Sequence, residues 1–136
     1  LINTDVISEI RKRGKANKGV VKFFRDAAKD DAALYLSVVT VGELRRGVEL
    51  IRHRVDIAQA QRLETWLTLI LNEYHDNILD LDEAVAQVWG HLRVPHPENA
   101  FDKQIAATAL IHELTLVTRN EKHFAATGVK VLNPFQ

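Results

Sequence analysis

Short apolar runs alternate with amphipathic stretches along the whole chain, and this alternation restricts the possible folds more than any other feature. Ala33-Leu34-Tyr35-Leu36-Ser37, Ile78-Leu79-Asp80-Leu81, Leu114-Thr115-Leu116-Val117 and Val129-Lys130-Val131-Leu132 are too short for helices and sit between polar residues. Interior strands have this character. Leu1-Ile2 reads as the tail of a further buried strand, closed by the polar turn Asn3-Thr4-Asp5. Strands separated by helical patterns predict an α/β fold, a parallel sheet covered by helices on both faces.

The helices are marked by apolar spacing and by their ends. Val6, Ile7 and Ile10 predict a short helix, and Val20, Phe23, Phe24 and Ala27 a second over 20–32. Thr40-Val41-Gly42-Glu43 fits the Ser/Thr-x-x-Glu capping box, so a helix is expected over 41–53. Ile57, Leu63, Trp66, Leu67, Ile70, Leu71 and Tyr74 recur mostly at spacings of three and four, which predicts a long amphipathic helix over 55–75. Asp82 is placed to cap a helix that Pro95 and Pro97 terminate. A further helix over 98–113 carries the small-residue run Ala106-Ala107-Thr108-Ala109, suited to close backbone approach, and Asn120 and Gly128 bound a last short one.

With 136 residues, 46% of them apolar, the chain has the size of one domain, 1–136, and a core that needs no staples. The lack of methionine suggests that a few residues, the initiator among them, precede Leu1. The lack of cysteine removes thiol nucleophiles, redox pairs, thiolate zinc sites and disulfides. No apolar run is long enough for a membrane span, and the start has no signal-peptide plan, so a cytoplasmic protein is expected. The histidines lack helical pairing, and neither a GxGxxG loop nor a P-loop lysine is present.

Lys plus Arg and Asp plus Glu balance at 18 each, which alone argues against a phosphate-rich partner. The balance is a cancellation, because residues 1–68 hold 13 basic and 9 acidic groups and residues 69–136 hold 5 and 9. Arg11, Lys12, Arg13, Lys15, Lys18 and Lys22 form a basic stretch with no acid inside it. It is either a solvated helix end or a surface for phosphates.

In an open parallel sheet, functional groups gather beyond the carboxyl ends of the strands. That rule selects Asn3, Thr4 and Asp5 after the first strand, Thr118, Arg119 and Asn120 after a later one, Glu43 after a short loop, and Asp102 early in its helix. Such oxygens suit Mg²⁺ or Mn²⁺, and a cation of this kind activates water and stabilises charge on a phosphodiester. Each residue also has a plainer explanation: Glu43 as the capping-box acid, Asp102 as an acid favoured by the helix dipole, Asn120 as an N-cap.

The words around these residues resemble a known family. LINTDVISEI is similar to the L-L-D-T-N-V-I-S-E opening of PIN-domain toxins of the VapC and FitB type, and LSVVTVGELRRGVEL to their second motif. NAFDKQIAATALIHELTLVTRN resembles their third and fourth motifs, and VKVLNPF their ending. The resemblance implies a three-layer α/β/α PIN domain with a five-stranded parallel sheet and the activity of a metal-dependent endoribonuclease, the toxin of a type II toxin–antitoxin pair.

Carried over by position, the resemblance makes Asn3, Glu43, Asp102 and Asn120 the catalytic set, with Asn3, Glu43 and Asp102 on Mg²⁺ or Mn²⁺. Thr4, Asp5 and Thr118 are auxiliary, and Arg11, Lys12, Arg13, Lys15, Arg45, Arg46 and Arg119 would meet the RNA backbone. His123 stands where many relatives have an acid, so that auxiliary acid is missing. The implied partners are a cognate VapB-type antitoxin laid across the site, an RNA substrate, a second copy in a homodimer, and DNA only through the antitoxin.

Asn3 departs from the family, whose first acid falls there, and the family's following Asn falls on Asp5. An amide keeps the shape and one ligand oxygen but removes a full negative charge, so metal affinity and hydrolysis should fall. An inactivating Asp-to-Asn exchange is the expected origin; natural divergence, with Asp5 as the ligand, is the alternative. The rival to the nuclease is a catalytically silent PIN module that binds antitoxin or RNA.

Overall fold

A computed structural model describes all of residues 1–136. The chain runs α1 (Thr4–Ile10), a 3-10 turn (Arg13–Lys15), α2 (Lys18–Lys29), β1 (Leu36–Ser37), α3 (Val38–His53), α4 (Ile57–Glu73), a 3-10 turn (His75–Asn77) and β2 (Ile78–Leu79). It continues with α5 (Glu83–Leu92), α6 (Ala100–Ile111), β3 (Leu116–Val117), α7 (Glu121–Phe124) and β4 (Val131–Leu132). The α/β alternation is present, and all strand pairing is parallel.

The strands are shorter than the apolar runs predict. β1 pairs with β2, β3 pairs with β4, and a single bridge joins Ile2 to Val117. Ladder pairing thus stops after two residues, and only β1 and β3 are fully buried.

Successive strand residues face opposite ways, as the pleat requires. Ile2, Leu36 and Val117 join Val6 and Ile7 of α1, Val20 of α2, Leu44 and Val48 of α3, and Leu67 and Ile70 of α4 in one buried cluster. Leu1 and Leu116 turn the other way, onto Ile105, Ala106 and Ala109 of α6 and Phe124 of α7. Helices therefore cover both faces of the strands. The small-residue run does what its composition allows: Ala106, Ala107, Thr108 and Ala109 are fully buried, and α6 lies along α5.

Two expected caps are absent. The helix expected from Thr40 begins at Val38, and its cap is Ser37, whose hydroxyl accepts from the Val39 amide at 3.0 Å. Thr40 is buried inside the helix, so the Thr40–Glu43 capping box does not form and Glu43 is released for another partner. Asp82 does cap α5, accepting from the Val85 amide at 3.0 Å. Asn120 occupies the N-cap position of α7 without a side-chain capping bond.

At the other end, the chain closes onto α2. Asn17 caps that helix through the amides of Gly19 and Val20 and also holds Gln136. A Cβ on Gly19 would lie 2.1 Å from the Pro134 carbonyl oxygen, so only glycine admits the tail there.

Helices α3 and α4 form a hairpin clasped by charge. Arg45 forks onto both carboxylate oxygens of Glu64 at 2.8 Å and reaches Glu49 at 3.3 Å, while Arg52 bonds Glu49 and Glu64. Arg45, and then Arg52, hold the Glu64 carboxyl down to about 2 from its ordinary 4.5. A depressed folded pKa gives stability that is present above the unfolded value and lost as the pH falls through the folded one. Acid unfolding profiles should therefore show stability falling between pH 4.5 and about 2, with Glu64→Gln flattening that slope. An unchanged slope in the variant would mean the clasp does not carry it.

Candidate active site

Asn3 follows Ile2 directly and is buried beside Thr118, which follows β3. The Asn3 amide nitrogen donates to Thr118 Oγ1 at 3.0 Å, and the Asn120 backbone amide donates to the same oxygen at 3.1 Å. The Thr118 hydroxyl lies 3.2 and 3.3 Å from the two carboxylate oxygens of Asp5, and Asp5 also accepts the Arg119 amide at 2.8 Å. Asp5 is thereby engaged by the loop after β3.

Glu43, freed from helix capping, takes the Thr4 hydroxyl at 2.7 Å, and the Thr40 hydroxyl lies 3.2 Å from the same Thr4 oxygen. The carboxylate is thus aimed from the second turn of α3 at the start of α1. Asp102, in the first turn of α6, meets His123 Nδ1 at 2.8 Å. His123 was legible in sequence only as a missing acid; in the fold it steadies one of the two acids. No spacing rule links residues 102 and 123, so only three-dimensional placement reveals the pair.

The candidates fall into two hydrogen-bonded groups. Glu43 is tied to Thr4, its neighbour Asn3 to Thr118, and Thr118 to the Asn120 amide, while Asp102 is tied to α7 through His123. No hydrogen bond joins Glu43 to Asp102, and no group of three or more acids and histidines with metal-ligand placement forms. The donors Glu43, Asp102 and the amide oxygens of Asn3 and Asn120 are all hard oxygens, which suits a hard divalent cation in kind. With Asn3 neutral, the set is one charge short of three carboxylates.

A cleft of about 240 Å³ opens beside Glu43 between α1, α3 and α4. Thr4, Ser8, Arg11 and Glu43 form its polar side, and Val48 and Trp66 belong to its apolar side. Trp66 is thus a wall of this cleft, whereas Trp89 ties α5 to α6 by donating to the Ala100 carbonyl at 3.0 Å.

The cationic candidates divide. Arg11 borders the cleft, and Arg13, Lys15 and Arg46 are exposed. Lys12 pairs with Glu9 at 2.8 Å, and the Arg119 guanidinium lies 4.7 Å from the Phe135 ring centre. Arg45 is the poorest candidate for phosphate, since Glu64 and Glu49 already occupy its fork.

The PIN domain family matches residues 1–130. The chain is 38% identical to Toxin FitB of Neisseria gonorrhoeae over 99% of its own length and 97% of that protein's. It is 34% identical to Ribonuclease VapC4 of Mycobacterium tuberculosis, over 71% of this chain and 74% of the relative. The crystal structure of FitAcB from Neisseria gonorrhoeae superposes with a TM-score of 0.83 at 37% identity, covering 98% of this chain and 96% of that one.

Proposed function

The chain belongs to the PIN domain family, and from that premise we propose that it is the toxin of a type II toxin–antitoxin pair, an endoribonuclease that hydrolyses RNA phosphodiesters with Mg²⁺ or Mn²⁺. The observation that carries the proposal is that the side chains of Glu43, Asn3 and Asp102 are each held by a hydrogen bond, with Thr4, Thr118 and His123 in turn. A divalent cation there would supply activation of water and neutralisation of charge on the phosphodiester. Glu43, Asp102 and the Asn3 carbonyl oxygen would hold it, with Asn120 completing the donor set.

The protein's own groups do the rest. Thr4 keeps the Glu43 carboxylate on one rotamer, and His123 keeps Asp102 on another, so little ordering is left for the moment of binding. Arg11, Arg13, Lys15 and Arg46 offer cations for the RNA backbone, contacts that position without reading sequence. The amide at residue 3 weakens the hold on the cation and slows hydrolysis relative to a carboxylate.

The cleft beside Glu43 offers an apolar wall to a VapB-type antitoxin, and DNA would be met only through that antitoxin. A homodimer is the assembly we assign, and the cytoplasm, where RNA is at hand, is its place; no helix is long and apolar enough to cross a membrane. We read residues 1–136 as one PIN domain with five parallel segments in the order β2, β1, Leu1-Ile2, β3, β4. The Ile2 amide bonded to Tyr35 O at 2.8 Å and the Asn3 amide bonded to Val117 O at 3.0 Å support this order.

Purified chain free of antitoxin should cleave RNA with Mg²⁺ or Mn²⁺ and stop when EDTA is added. Cleavage indifferent to EDTA would refute the metal dependence. Asn3 favours one other reading, a catalytically silent module that binds antitoxin or RNA; it predicts RNA binding with no cleavage under any metal.

A further inference from the structure

We propose that Asn3 and Asp5 form one exchangeable unit across Thr118, in which Asp5 is a positioning residue that turns the Asn3 carbonyl oxygen toward the site. A hydroxyl has one proton and two lone pairs. At Thr118, which is fully buried, the Asn3 amide nitrogen at 3.0 Å and the Asn120 backbone amide at 3.1 Å both donate, and together they fill the lone pairs. The single proton is left for Asp5, whose carboxylate only accepts and lies at 3.2 Å. The Arg119 amide, 2.8 Å away, holds that carboxylate in place.

This arrangement decides which way the Asn3 amide faces. If its oxygen pointed at Thr118, two acceptors would meet with no proton between them, because that proton is with Asp5. With nitrogen toward Thr118, the carbonyl oxygen accepts no bond within the chain, and it is not an orphan of the interior, since no buried side-chain polar atom lacks a partner. It therefore keeps access to solvent on the side away from Thr118.

The pair cannot be changed one residue at a time. In Asn3→Asp, two carboxylates compete for one hydroxyl proton, and a buried acceptor is left unsatisfied. Exchanging both positions reverses the relay: the hydroxyl donates to the new carboxylate at residue 3 and accepts from the new amide at residue 5, and every partner is met.

The inference rests on the proposed function only in treating residue 3 as a site residue, and the experiment separates the two. Urea unfolding without metal compares the unsubstituted chain with Asn3→Asp, Asp5→Asn and the double exchange. Asn3→Asp should lower the folding equilibrium constant about tenfold or more, and the double exchange should recover most of that loss. In a Thr118→Val background the recovery should vanish, and Thr118→Ser should retain it. Effects that add in the double exchange to within about twofold, or a double exchange that does not fold, would overturn the proposal. An Asn3→Asp chain that fails to fold while the double exchange folds is the predicted coupling in its strongest form.

Mn²⁺ titration by calorimetry on the same proteins gives the second readout, with the tightest binding expected in the double exchange. Coupling without Mn²⁺ binding in any of them would refute the metal role of residue 3 and leave the positioning role supported. Tighter Mn²⁺ binding in Asn3→Asp than in the double exchange would overturn the positioning role.

Discussion

Glu43→Gln and Asp102→Asn, made separately, should each reduce metal-dependent RNA cleavage by about hundredfold or more, since metal-borne charge stabilisation is worth several kcal/mol. Each change keeps the side-chain shape. A glutamine at 43 still presents an oxygen to the Thr4 hydroxyl, and an asparagine at 102 still presents one to His123, so the hydrogen bonds now at 2.7 and 2.8 Å are retained in kind. The removed quantity is charge. Asn3 contributes none, so losing one carboxylate halves the negative charge of Glu43 and Asp102, and the effect should exceed that in a site with three acids. Initial cleavage rates, read beside unfolding curves that stay unchanged, check the expectation; undiminished cleavage in either variant would remove that acid from the site.

The largest expected effect on stability belongs to Phe124→Ala, at about 3–5 kcal/mol. Phe124 is 1% exposed and is the largest fully buried side chain. It belongs to the four-residue helix α7 and packs in the cluster of Leu1, Ile105 and Leu116. A helix this short has little stability of its own, so its place depends on tertiary packing. Thermal unfolding should shift down by on the order of 10 °C. Cleavage below the transition should fall as well, because His123, the partner of Asp102, stands on the same helix. A small shift with intact activity would show that α7 is held by other means.

Much of this architecture is written in local pattern. The spacing of Leu63, Leu67, Ile70 and Tyr74 set α4 to within two residues at each end, and the Asp82 cap and the small-residue face of α6 came from residue chemistry alone. What stayed hidden depends on partners distant in the chain. Ser37 and Thr40 are both competent caps, and a local rule cannot choose between them. The Thr4 hydroxyl, 39 residues before Glu43 in sequence, is the partner Glu43 takes instead. Arg45 shows its helical neighbour Glu49 in sequence but not Glu64 on the next helix.

The site divides in the same way. Position and motif select Asn3, Asp5, Glu43, Asp102, Thr118 and Asn120, yet the bond from Asn3 to Thr118 spans 115 residues and the contact of His123 with Asp102 spans 21. An amide at residue 3 looks in sequence like a simple loss of charge. In the fold it is also a donor to a hydroxyl whose proton serves Asp5.

The central claim is that Glu43 and Asp102, with the residue-3 oxygen, hold the divalent cation of an RNA-cleaving site. Electron paramagnetic resonance of Mn²⁺ titrated into the purified chain and into Asp102→Asn tests this most directly. The account predicts a single saturable Mn²⁺ in the unsubstituted chain, displaced by Mg²⁺ and lost in the variant. Equal binding by both proteins, or no saturable binding by the unsubstituted chain, would contradict it.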